Sequence, residues 1–164
     1  VAAADPAPRL ISSPLTRARQ TAEEIAALIR VKVDIEPGLA ECDFGEWEGL
    51  TFQEVRDRWP DELEAWLGST SVRPPSGESM DDVAARVLPV AAQLRNSHEA
   101  ATLVAVSHVT GIKLLLRDAL DGGGGFLHQL HLDPGGISIV DSWPDGGVSV
   151  RLVNDVSHLG EMVT

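Results

Sequence analysis

The chain has 164 residues, enough for one domain with a substantial core, and its 43% hydrophobic and 23% charged residues exclude a disordered polypeptide. Lys and Arg number 13 against 25 Asp and Glu, a formal net charge of −12 that disfavours a nucleic-acid groove or an anionic membrane surface. Cys42 is the only cysteine, so no intrachain disulfide can form, a reducing cytoplasm is the simplest expectation, and no apolar run reaches transmembrane length.

Val1 to Pro8 is small and Pro-containing, and reads as a loop or frayed end. Arg9 to Ser12, RLIS, reads as a short strand. Ser13 then suits an N-cap and Pro14 the first helical position, with Ala18, Ala22, Ile25, Ala26 and Ile29 on the core face of the helix that follows. Val31 to Glu36 alternates apolar and charged residues, as an edge strand does, and stops at Pro37-Gly38. LAECDFGEWEGLT has no period and predicts an irregular exposed loop. Thr51 and Glu54 form a capping box for a helix to about Trp59, and Pro60 starts a second short helix carrying Leu63, Trp66 and Leu67.

Gly68 to Gly77 is a loop by composition. Ser79, with Asp82 three residues on, caps a long helix whose stripe is Val83, Val87, Val90 and Leu94, bent at Pro89. In Ala101 to Leu116, Val104 to Val106 reads as a strand buried on both faces at the centre of a parallel sheet. From Val109 the period is helical, with Ile112, Leu115 and Leu116 on one face. Asp121 to Gly125 is a break. Phe126 to Leu132, Gly136 to Ser142 and Val148 to Val153 read as strands, the last two joined by a turn at Pro144 to Gly147. Strands alternating with helices, then a β-rich end, predict one α/β domain: a three-layer sandwich with a mostly parallel sheet flanked by helices.

Polar clusters fall at four junctions: Ser12 to Arg17, Glu41 with its FGEWEG tail, Pro75 to Ser79, and Ser107-His108. His108 follows a strand's carboxyl end and precedes a helix's amino end, where open α/β sheets bind ligands and free helix N–H groups favour anions. Singly, each residue has a plainer reading: Arg17 as a surface cation, His108 as a core histidine, Glu41 as a solvated loop acid. His128 and His131, on opposite sides of a strand, are not expected to share a metal. Trp47, Trp59 and Trp66 are expected to pack the helical excursion rather than stack on bases. No GxSxG elbow accompanies His108, and Gly122 to Gly125 lack the lysine of a P-loop.

Together, SPLTRARQTA, LAECDFGEWEGLT, PSGES and VSHVTGIKLLL, in this order, resemble the histidine phosphatase superfamily, whose fold is phosphoglycerate mutase-like. The resemblance implies that Arg17 is the pocket arginine, His108 the second catalytic histidine and Glu41 the proton donor, with Ser13 and Val109 in the substrate-binding set. It implies phosphoryl transfer through a phosphohistidine, with neither metal nor cofactor. Each role suits its side chain: a guanidinium forks onto two phosphate oxygens, an imidazole at a helix start stabilises developing charge, and a carboxylic acid protonates a leaving alkoxide.

The family's nucleophile lies in an Arg-His-Gly motif on a first strand well upstream of SPLxRAxQT. None of His98, His128, His131 and His158 follows an arginine and precedes a glycine, so none carries over. Residues 1–164 are therefore expected to be a histidine phosphatase domain that lacks its first strand in an N-terminally incomplete chain, with a natural pseudo-enzyme as the competing explanation. The short segment between Gly49 and Pro74, PSGES, and the LVNDVSHL ending look like the phosphatase branch, with α-ribazole phosphatase-like enzymes and the acid phosphatase domain of a bifunctional RNase H–acid phosphatase nearest in kind. The expected partner is a small phosphorylated metabolite, not nucleic acid or membrane, with an RNase H domain possible in the parent chain. A non-catalytic phosphate-binding domain and a phosphoglycerate mutase are the alternatives.

Overall fold

β1 (Arg9–Ser12) is the middle strand of a parallel sheet, and its sequence explains why: Leu10, Ile11 and Ser12 are only 1%, 5% and 0% exposed, as befits a strand covered on both faces. These positions belong to a computed structural model that describes residues 8–95 and 102–162. The expectations for residues 1–7, for His98 and for the Leu94 side chain lie outside the described residues.

From β1 the chain crosses through α1 (Thr16–Ile29) to β2 (Val33–Ile35), which pairs parallel to β1 with Leu10 opposite Val33 and Ser12 opposite Ile35. The long excursion through α2 (Phe52–Arg58), α3 (Pro60–Gly68) and α4 (Met80–Arg95) ends in β3 (Leu103–Val106), parallel to β1 on its other side with Ser12 opposite Val106. Parallel neighbours require such crossovers. α5 (Val109–Ala119) follows, packed against α4, then α6 (Phe126–Gln129) and an antiparallel hairpin of β4 (Ile137–Ser142) and β5 (Val148–Asp155). The sheet order is β2-β1-β3, with β4-β5 as a second sheet.

One core joins these layers. Val83 and Val87 of α4 and Leu114 of α5 are 0% exposed, and Leu39 and Leu63 pack into the same cluster. Truncating any of these leucines to Ala should cost about 2–5 kcal/mol. Trp47 and Trp66 are buried with their rings edge to face, 5.8 Å between centroids, so the tryptophans of the excursion do pack. Both capping boxes form: Thr51 with Glu54, and Ser79 with Asp82, whose carboxylate also takes two hydrogen bonds from Arg73. No helix among the described residues is long and apolar enough to cross a membrane.

Four sequence expectations need correction. The first helix begins at Thr16, because Ser13 is engaged elsewhere and Leu15 is extended; its buried face is Ala18 and Ala22, while Ile29 is exposed. The apolar run at 103–106 is half-buried at Leu103, Val104 and Val106 and exposed at Ala105 rather than central, since β3 pairs only with β1 among the described residues. In α5 the deepest positions are Thr110, Gly111, Leu114 and Leu116, with Ile112 and Leu115 half-buried. Phe126 to Leu132 is not a strand: Phe126–Gln129 is helical. Phe126 and Leu130, four apart, flank buried Leu127, whose carbonyl accepts from Lys113 Nζ at 2.8 Å. His128 therefore lies on a helix against Trp66, and His131 pairs with Asp133.

Candidate active site

The three parallel strands end on one edge of the sheet, and the segment after each brings polar groups to it. After β1 come Ser13 and Arg17, after β2 the turn at Pro37–Leu39 and then Glu41, and after β3 Ser107 and His108. The sheet's own register makes Ser13 and His108 neighbours, because Ser12 and Val106 are partners and Ser13 N–H donates to Val106 O at 2.9 Å.

His108 is the residue before α5, 8% exposed, and its Nε2 lies 2.7 Å from the Ser13 hydroxyl in a buried contact. Ser13 Oγ also accepts from Leu15 N–H at 3.2 Å, so the residue expected as a helix cap instead fixes the imidazole and the turn into α1. Burial is the main cause that pushes the His108 pKa below its ordinary value. The nearby Glu41 carboxylate opposes that shift, and the Arg17 and Arg86 guanidiniums reinforce it. These interactions gather Glu41, Arg17 and His108 into one electrostatic site. Arg17 stands exposed in the first turn of α1, and Val109 opens α5 with its side chain 43% exposed.

Glu41 is half-buried, and its Oε1 accepts from Cys42 N–H at 2.8 Å. The loop that carries it is far from loose. Ser107 Oγ donates to Leu39 O at 2.9 Å, and Glu36 N–H donates to Ser12 O at 2.8 Å. Asp43 and Glu78 exchange two bonds, from Glu78 N–H to Asp43 O at 2.7 Å and from Asp43 N–H to Glu78 Oε2 at 3.0 Å. The Cys42 thiol beneath is pushed up to about 12 by burial and then by the Glu78 and Glu41 carboxylates. The exposed loop expected at 39–51 thus has buried anchors at Leu39, Cys42 and Trp47.

Arg86 is not among the sequence candidates, and Ser107 appears there only as the neighbour of His108 in one polar cluster, with no separate signal. Arg86 sits eight residues after Glu78, beyond the i,i+4 spacing that marks a helical pair, so only the fold reveals that they meet. In chemical terms the edge offers a cation, a buried imidazole, a carboxyl group and the unpaired N–H groups of a helix start. That set can bind a phosphoryl group and exchange a proton with its ester oxygen.

The model of the family described as histidine phosphatase superfamily (branch 1) matches residues 2–155. A bifunctional protein of Mycobacterium tuberculosis is 48% identical over 150 residues, 92% of this chain and 41% of that protein, so the chain spans about two fifths of that relative's length. Among solved structures, a phosphoserine phosphatase mutant from Entamoeba histolytica, in complex with phosphoserine, superposes with a TM-score of 0.80 at 28% identity, covering 92% of this chain and 75% of that one. The α-ribazole phosphatase from Shigella flexneri shares the fold with a TM-score of 0.74 at 23% identity, over 90% of this chain and 73% of that one.

Proposed function

The chain belongs to the histidine phosphatase superfamily, and from that premise we propose that it is the greater part of a metal-independent phosphomonoesterase of acid phosphatase type, acting on a small phosphorylated metabolite through a phosphohistidine. The observation that carries this reading is the pairing of buried His108 with Ser13 at the carboxyl edge of the sheet, with Arg17 and Glu41 close enough to act on the imidazole's charge. The neighbour solved with phosphoserine supports a small phosphomonoester as the substrate class.

In this reading Arg17 grips two phosphoryl oxygens, and His108 and the Val109 N–H stabilise charge on the phosphoryl group. A histidine outside these 164 residues attacks phosphorus as the P–O ester bond breaks, and protonated Glu41 gives its proton to the departing alkoxide. Water then attacks the phosphohistidine, Glu41 takes the water's proton, and the P–N bond breaks to release phosphate. Residues 1–164 act as one histidine phosphatase domain that works with that nucleophile in a cytoplasmic parent chain. The likeness to a protein named bifunctional supports a second activity in that parent, for which we propose an RNase H domain.

The test is the full-length parent protein on p-nitrophenyl phosphate in EDTA. Turnover is expected, and no turnover, or turnover only with added metal, would overturn the reading. Arg17→Ala should raise KM, and His108→Ala should lower kcat by roughly 10²–10³. Glu41→Gln should impair glycerol 2-phosphate more than p-nitrophenyl phosphate, whose leaving group departs without a proton. A parent reading frame without Arg-His-Gly would favour a non-catalytic phosphate-binding domain, and isomerisation outpacing hydrolysis would favour a phosphoglycerate mutase.

A further inference from the structure

We propose that Arg86, paired with Glu78, is the positioning residue that holds Glu41 in its proton-transfer geometry, an inference that rests on reading Glu41 as the acid. Arg86 lies on α4, away from the sequence motifs around Glu41, and all five guanidinium N–H groups have acceptors within the protein. Nε donates to Glu78 Oε1 at 3.1 Å, Nη1 to Gly38 O at 3.0 Å and Ala40 O at 2.7 Å, and Nη2 to Glu41 O at 2.8 Å and Glu78 Oε2 at 2.9 Å. With every donor engaged, Arg86 has none to offer a phosphate, which separates its role from that of Arg17.

The acceptors define what the fork does. Ala40 O and Glu41 O belong to the two peptide groups flanking Glu41, so fixing both fixes the backbone torsions that aim its side chain. Cys42 N–H, in the second of those peptides, then donates to Glu41 Oε1 and links the carboxylate to the clamped backbone. Glu78 completes the clamp: it neutralises Arg86 and accepts from Asp43 N–H, two residues beyond Glu41. The Arg86 hydrogen bond is the main cause holding the Glu78 carboxyl below its ordinary range. Gly38 closes the other side, where an added Cβ would lie 2.7 Å from Arg86 O. A lysine, with three donors on one point, keeps the charge but cannot span these acceptors.

The experiment uses Arg86→Lys and Glu78→Gln in the full-length protein, with Glu41→Gln and the Arg86→Lys/Glu41→Gln double variant beside them. General-acid catalysis contributes about 10²–10⁴, so a misaimed acid should lower kcat/KM, which reports the leaving-group step alone, by roughly tenfold or more on glycerol 2-phosphate and leave that of p-nitrophenyl phosphate within about twofold. The double variant should be no slower than Glu41→Gln, and amide exchange over residues 38–43 should quicken while inhibition by inorganic phosphate stays unchanged. Equal losses on both substrates, losses that multiply in the double variant, or unaltered exchange at 38–43 would overturn the positioning role. If Glu41→Gln itself fails to separate the substrates, the acid assignment falls, and the Arg86 inference with it. If Glu41→Gln separates them and Arg86→Lys does not, only the positioning role falls. Should Arg86→Lys not fold, Glu78→Gln is read by the same outcomes.

Discussion

His108 carries a pH dependence that follows from where it sits. Burial favours its neutral form, Glu41 opposes, and Arg17 and Arg86 add to the depression. The unfolded chain therefore binds a proton here that the folded chain refuses, between the ordinary value of 6.5 and the lower folded value. Stability should fall as pH drops through that window, and this contribution should vanish above it. The carboxylates held low, Glu78 and Asp82 among them, lose their contribution only as pH falls below about 4. Urea midpoints at pH 7.5 and 5.5 should therefore drop in the wild type and drop less in His108→Gln; equal drops would refute the assignment. At this scale the sequence singled out Arg17, Glu41 and His108 through their motifs, and the fold brings them within electrostatic reach of one another. The sequence misassigned Ser13, whose N-cap chemistry reads the same whether its hydroxyl faces its own helix or an imidazole 95 residues away.

Between elements, the loops at 43–46 and 75–78 are joined so closely that side chains are excluded. A Cβ on Gly77 would stand 2.5 Å from Asp43 O, whereas one on Gly68, at the end of α3, meets nothing within 4 Å. Gly77→Ala should accordingly destabilise the protein by about 1–3 kcal/mol through overpacking. Gly68→Ala should be neutral or stabilising by up to about 1 kcal/mol. Denaturant unfolding of the two variants checks the contrast, and comparable values would contradict this account. Capping boxes at Thr51 and Ser79 were legible because they are local hydrogen-bond chemistry. Phe126 to Leu132 was not, because a short apolar run fits either period and Lys113, packed from α5, favours the helix.

For the molecule as a whole, the outer edge of β3 is unpaired among the described residues, and the hairpin sheet exposes Ile137, Val140 and, at its turn, Trp143. An open edge and exposed apolar surface each invite intermolecular association. The 164-residue chain on its own should unfold with low cooperativity and self-associate as concentration rises. Coincident circular dichroism and tryptophan transitions with an ordinary midpoint, from a chain that elutes as a monomer, would refute this.

Local rules sufficed for what depends on neighbours in sequence: the capped helices, the β1 and β2 strands, the β4–β5 turn and the motifs that carry Arg17, Glu41 and His108. Tertiary structure alone decided what depends on residues far apart in the chain. It set β1 rather than β3 at the centre of the described sheet, gave Ser13 to His108, and brought Arg86 of α4 around the backbone of Glu41. The physical reason is that a hydrogen bond constrains only the groups it joins, and these partners meet only once the parallel sheet has brought its carboxyl edge together.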